Sequence, residues 1–343
     1  MIAASSPVLA IHDTIAQRTS INGPSNLVND NHGHLFVREQ VANKLLRIDL
    51  RTRTIQTIAG NGKECCYKEG ALASDVSLRF LESFTVSRIG DVFLGDGDNI
   101  RKVDSRTGLI STVAGDGMYG DTTDGAPAVS THFWSIDGLA VNSHGDLFVA
   151  DARQSKIFRI DNGTEIIRIY AGDGKKGFSG DKGPASAASF QWAENMAFDN
   201  NDNLIISDSG NCRIRRIDHT TAIVDTIIIT GGAAQNCPNP DNIHPTSMPD
   251  ALAIDSAGNI YFSEPSVLLV LRIDARTSEL STLLDPPTIK TKLHDIAGLA
   301  IDSDGGLFVS GFSDNRVRHI DPRTKTVTTI AGNGLPHRVD IML

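Results

Sequence analysis

The chain has 343 residues, 40% hydrophobic and 21% charged, the composition of an ordinary soluble globular protein and not of a disordered one. No apolar run approaches the roughly 18 residues that span a bilayer, so membrane insertion is not expected. The net charge of −9 argues against a nucleic-acid partner, whose phosphates select basic surfaces.

In chain order, the N-terminal MIAASSPVLAIHD lacks the basic region of a signal peptide. Residues 11–16 then read as a short strand similar to TIQTIAG (54–60) and TVTTIAG (326–332). From residue 25 a unit of apolar strand, turn and second apolar strand recurs. Its copies are SNLVNDNHGHLFV (25–37), SFTVSRIGDVFL (83–94), GLAVNSHGDLFVAD (138–151), NMAFDNNDNLIISD (195–208), ALAIDSAGNIYFSE (251–264) and GLAIDSDGGLFVS (298–310). The turn residues Gly33, Gly90, Gly145, Asp202, Gly258 and Gly305 are 57, 55, 57, 56 and 47 residues apart. Self-similarity at such a period is the signature of a repeat architecture.

Each copy runs on into a basic-apolar-Asp segment (LLRID, IRKVD, IFRID, IRRID, VLRID, VRHID) and then into a fourth apolar segment such as LISTVAG (109–115) or IIRIYAG (166–172). These segments are short, β-branched and bounded by Gly, Asp or Asn, which reads as strand. The Asp that closes the third segment (Asp49, Asp104, Asp161, Asp218, Asp274, Asp321) is placed to cap the following turn. Four hairpin-linked strands in six copies predict an all-β fold, a six-bladed β-propeller of four-stranded antiparallel blades. Radial packing of such sheets buries their faces and protects their edges. The blades fall at approximately 21–62, 80–117, 133–174, 190–232, 247–287 and 293–334 of a single domain, 1–343. A strand at 8–16 is expected to aid ring closure, either beside 326–332 or by displacement of one of the two.

The pattern GLAV/GLAID…LFVAD…RIRRID…TIAG, with connectors AGDGMYGDTTDGAPAVSTHF (114–133) and AGDGKKGFSGDKGPASAASF (171–190), resembles the NHL-repeat β-propeller family, bacterial type. The resemblance covers about 21–334 and implies the fold; function sits in sites grafted on it. The connectors at 59–80, 231–248 and 283–295 depart from the pattern, and the unequal loops suggest an asymmetric, binding loop face.

In such a propeller, the residue entering each innermost strand rings one mouth of the central channel. Those positions are Ser25, Glu82, Asp137, Glu194, Asp250 and Ala297, with Asn195 beside Glu194. Crowded carboxylates stay ionised only when water or a cation compensates them, and carboxylates with an Asn amide suit Ca²⁺. Glu82, Asp137, Glu194, Asn195 and Asp250 are therefore candidate ligand-binding and metal (Ca²⁺) residues, with Trp134 and Trp192 as candidate pocket walls. The loop histidines His132, His244 and His294 form a second candidate set for zinc, by analogy with the peptide-amidating lyase propeller. The Asp-rich connectors (Asp116, Asp121, Asp124, Asp173, Asp181) read as turn chemistry, and Phe80, Phe133 and Phe190 as packing staples at the connector ends.

Of the four cysteines, Cys65 and Cys66 are adjacent. Cys212 and Cys237 are a candidate pair whose bridge would imply an oxidising compartment. The expectation is a secreted, extracellular or periplasmic monomer. It would bind a protein or small-molecule ligand on the loop face without catalysis. The alternative is a metal-dependent hydrolase or lyase, similar in placement to lactonase-type propellers, with a cation at the channel mouth.

Overall fold

The structure is a computed structural model that describes residues 14–63, 67–230, 249–264, 268–284 and 295–335. Six antiparallel sheets follow one another along the chain, each ordered first strand to fourth strand, and none of the described residues forms an α-helix. The protein is a six-bladed β-propeller. Blade 3 shows the plan: Gly138–Val141 innermost, then Leu147–Asp151, Lys156–Ile160 and Ile167–Ala171.

The first strands (Pro24–Asn29, Leu81–Val86, Gly138–Val141, Ala193–Phe198, Leu252–Ile254 and Gly298–Ile301) form the innermost circle. Each contacts the first strands of both neighbouring blades, and that of blade 1 meets that of blade 6. The core is correspondingly divided. Six apolar clusters each fill the gap between two adjacent blades, such as Phe148 and Ile157 against Met196, Leu204 and Ile206 between blades 3 and 4.

The six Asp residues at the ends of the third strands cap their turns as expected. Asp161 Oδ1 accepts from the backbone N–H groups of Gly163 and Thr164 at 3.1 and 2.8 Å. Asp49, Asp104, Asp218, Asp274 and Asp321 make the equivalent pairs of bonds. The Asp-rich connectors are likewise used in turns and packing. Asp116 accepts from Met118 N–H and Asp173 from Lys175 N–H, Asp124 receives Ile169 N–H, Asp121 receives the Trp134 indole, and Asp181 pairs with Arg215.

Two features refine the sequence reading. Thr14–Ile15 pairs with Ile55 and Thr54 on the outer edge of blade 1, not with 326–332 of blade 6. The reason is hydrogen-bond register. Gly332 N–H donates to Ala16 O and Ala16 N–H to Arg53 O, at 3.0 and 2.9 Å. The links Gly115–Ala128–Glu165 and Gly172–Ala185–Ala222 repeat that pattern between other blades. The N-terminal segment thus occupies the connector position between blades 6 and 1; residues 8–13 lie outside the described residues. The connector staples also differ. Phe133 and Phe190 are buried, but Phe80 is 53% exposed, and Leu78 at 2% takes the buried place. Leu78 follows Ala73 at the same interval that separates Phe133 from Ala128 and Phe190 from Ala185, so the repeat register assigns it the packing role.

Candidate functional site

The inner circle encloses a channel cavity of about 840 Å³, and Ser25, Glu82, Asp137, Glu194, Asp250 and Ala297 all line it, one from each blade. Close backbone approach sets their spacing. A Cβ built on Gly138 would lie 2.0 Å from the Glu194 carbonyl oxygen, so only glycine lets the inner strands of blades 3 and 4 abut here. That contact places Asp137 and Glu194 side by side at the strand entries. At the junction of blades 1 and 6, Asn26 N–H donates to Ala297 O at 3.2 Å.

The four carboxylates occupy consecutive blades and hold their protons more tightly than free carboxylates do. Burial and then the neighbouring Asp137 and Asp250 push Glu194 up to about 7. Asp250 is raised by burial, opposed by the Asn195 amide that donates to Oδ1 at 3.1 Å. Asp137 is raised chiefly by burial, although Ser135 Oγ and Ala152 N–H donate to it at 2.6 and 2.8 Å. Glu82 is raised by burial and then by Asp137. Burial and like charge both favour the neutral acid. Among the described residues none of the four makes an ion pair.

The wall also holds residues that the sequence analysis does not assign to it. Arg38, Phe80 and Phe312 line the cavity at blades 1, 2 and 6. Arg38 pairs across from Ser25 in the second strand, where the other blades carry Gly95, Ala150, Ser207, Ser263 and Ser310. The signal was legible: blade 1 ends LFVRE where blade 3 ends LFVAD. Burial lowers the Arg38 guanidinium to about 10, opposed by the nearby Glu82.

Asn195 lines the cavity, whereas Trp134 and Trp192 are not among its wall residues. Trp134 is 40% exposed, its indole N–H donating to Asp121 at 2.9 Å, and Trp192 holds a left-handed φ of 54° beside the Ser209 turn. Among the described residues no group of three or more His, Cys, Asp or Glu side chains is placed to hold a metal ion. The residues read from sequence as a Ca²⁺ set, Glu82, Asp137, Glu194, Asn195 and Asp250, come from four consecutive blades, Glu194 and Asn195 from the same strand. His132 bonds Asp116 at 2.8 Å, while His244 and His294 lie outside the described residues. Cys212 is buried and disulfide-bonded; Cys65, Cys66 and Cys237 lie outside the described residues.

Fold and site together define a six-bladed propeller with a polar, carboxylate-lined channel mouth, and comparison with known proteins is consistent with that class. No family model matches the chain. It is 24% identical over 292 residues to Protein SUPPRESSOR OF QUENCHING 1, chloroplastic, of Arabidopsis thaliana, covering 80% of this chain and 28% of that protein. It is 30% identical over 98 residues to Teneurin-m of Drosophila melanogaster, 27% of this chain and 3% of that protein. The chain therefore spans under a third of the length of the curated relatives it matches. Among solved structures, a streptogramin B lyase superposes with TM-score 0.54 at 16% identity, over 93% of this chain and 86% of that one. A nidogen/laminin complex chain gives 0.57 at 13%, over 86% and 92%. An auxiliary nutrient binding protein of Bacteroides thetaiotaomicron gives 0.59 at 12%, over 90% and 70%. At these identities the likeness is one of fold.

Proposed function

We propose that the chain is an NHL-type propeller that serves as a binding module and takes a cationic organic group at the channel mouth on its connector face. The group would be an ammonium or guanidinium, carried by a small molecule or by a basic side chain of a protein partner. The observation that carries this reading is the arc of Glu82, Asp137, Glu194 and Asp250, raised in proton affinity and without an ion pair among the described residues. Carboxylates spread around an opening suit a delocalised or tumbling organic cation better than a point charge such as Ca²⁺, which needs six to eight oxygens at one distance. Solved neighbours of the same fold include a protein complex chain and a nutrient binding protein, which agrees with a binding role.

Calorimetric titration with linear alkylamines at pH 8 tests the proposal. The native chain should bind at least one of them. The triple variant Asp137→Asn, Glu194→Gln, Asp250→Asn should fold, as read by circular dichroism, and bind about a hundredfold more weakly, the worth of about two charge-assisted hydrogen bonds. Alanine at Trp134 and Trp192 tests whether the outer connector face contributes. Equal affinity in the native chain and the triple variant would refute the proposal.

A further inference from the structure

The mouth is not uniformly acidic: among the described residues one arginine, Arg38, lines it. The other two buried arginines among the described residues are each matched to carboxylates: Arg215 with Asp181 and Asp208, Arg318 with Asp314. Arg38 is only 9% exposed, yet its guanidinium makes no hydrogen bond or ion pair among the described residues, and Nε is buried without a partner. Directly across the strand pair, Ser25 Oγ is buried and unpartnered as well. Both residues face the channel cavity. Glu82 is near enough to act on Arg38 electrostatically, but the two form no ion pair.

Burying an unpaired charge is costly, and five blades avoid the cost with Gly, Ala or Ser at this position. A local rule broken once in six copies, at the channel mouth, marks a functional position. The unsatisfied donors at blade 1 point to an anionic acceptor, and a planar guanidinium fork matches a carboxylate. The unpaired carboxylates of blades 3 to 5 lie further round the same opening.

We infer that the mouth binds a small organic zwitterion, its carboxylate held by Arg38 and Ser25 and its ammonium by the arc of Asp137, Glu194 and Asp250. This rests on the cation-binding reading above and adds the anionic end of the ligand. Phe80 and Phe312, 53% and 38% exposed, stand on blades 2 and 6 to either side of blade 1 and offer apolar surface to the ligand's carbon chain.

The test is calorimetric titration with ω-amino acids from glycine to aminooctanoate, each set against the amine and the carboxylate of the same chain length. At least one zwitterion should bind about tenfold more tightly than its matched amine, the worth of one charge-assisted pair. Arg38→Ser, which installs the residue of blades 4 to 6, should abolish that advantage, and Arg38→Lys should retain part of it. Thermal melts confirm folding; an unfolded Arg38→Ser chain is replaced by Arg38→Gln. If amines bind and no zwitterion exceeds its amine, or if the advantage survives in Arg38→Ser, the anionic end is overturned while the cationic reading stands. If neither amines nor zwitterions bind, both readings fall.

Discussion

Acidic side chains recur in this propeller at two kinds of position, the turn after the third strand and the entry to the first, and the two have opposite proton affinities. At the turns, Asp49, Asp104, Asp161, Asp218, Asp274 and Asp321 are all held below the ordinary range, Asp274 to about 2, chiefly by backbone N–H groups of the next two or three residues. At the channel mouth, Glu82, Asp137, Glu194 and Asp250 are all raised, Glu194 to about 7, by burial and by one another. The turn aspartates complete local geometry with donors from their own chain segment. The mouth carboxylates come from different repeats and meet only because the ring closes, and none of them makes an ion pair among the described residues. The first set is satisfied by its own turns; the second is the set to which the proposal assigns the ligand.

Three substitutions test that contrast. The largest effect is expected at Gly138→Ala. The added Cβ would meet the Glu194 carbonyl at 2.0 Å, forcing the inner strands of blades 3 and 4 apart at a cost of about 3 kcal/mol. Chemical denaturation should show the loss, and an unshifted midpoint would mean that the strands do not abut as described.

Glu194→Gln comes next. Because the folded-state pKa of Glu194 lies above its ordinary 4.5, the native state binds the proton more tightly than the unfolded state. Its contribution to stability is therefore fully present below about 4.5 and is lost as pH rises through about 7. The Gln variant should lack this decline and be more stable than the native chain at pH 8 by about 2 kcal/mol. Parallel pH-stability curves for the two proteins would contradict the raised value. By the same ionisation, alkylamine binding by the native chain should strengthen between pH 5 and pH 8.

The smallest effect belongs to a turn. Asp274→Asn keeps an acceptor oxygen but loses the charge that its donors favour. The lowered pKa means that the carboxylate contributes above its ordinary 3.8 and stops contributing as pH falls through about 2. A slight drop in melting temperature at neutral pH should shrink in acid. A rise at neutral pH would place Asp274 with the mouth carboxylates instead.

Much of this was legible in the chain itself. Strand count, blade order, turn caps and channel-facing positions follow from the repeat, because period-two strands with Gly or Asp turns leave few alternatives. Arg38 sits in a strand that otherwise copies the apolar motif, and its departure from the LFVAD copies is visible in the sequence. At the first connector residue type points to Phe80 as the staple, whereas register counted from Ala73 selects the buried Leu78. The TI of Thr14–Ile15 resembles an outer strand, yet the pairing with Thr54 and Ile55 is set by hydrogen bonds to Ala16 from blade 6 and to Arg53 in blade 1, which similarity between segments does not encode.

Sequence by itself determined the six four-stranded units and the acidic residue types at the strand entries, since both are written in local patterns of side chain and turn. Only the tertiary structure decided that four of those carboxylates share an opening with Arg38, which has no ion pair among the described residues. Distances between residues of different repeats are fixed by how the blades pack around the ring, and electrostatic character follows from those distances and from burial.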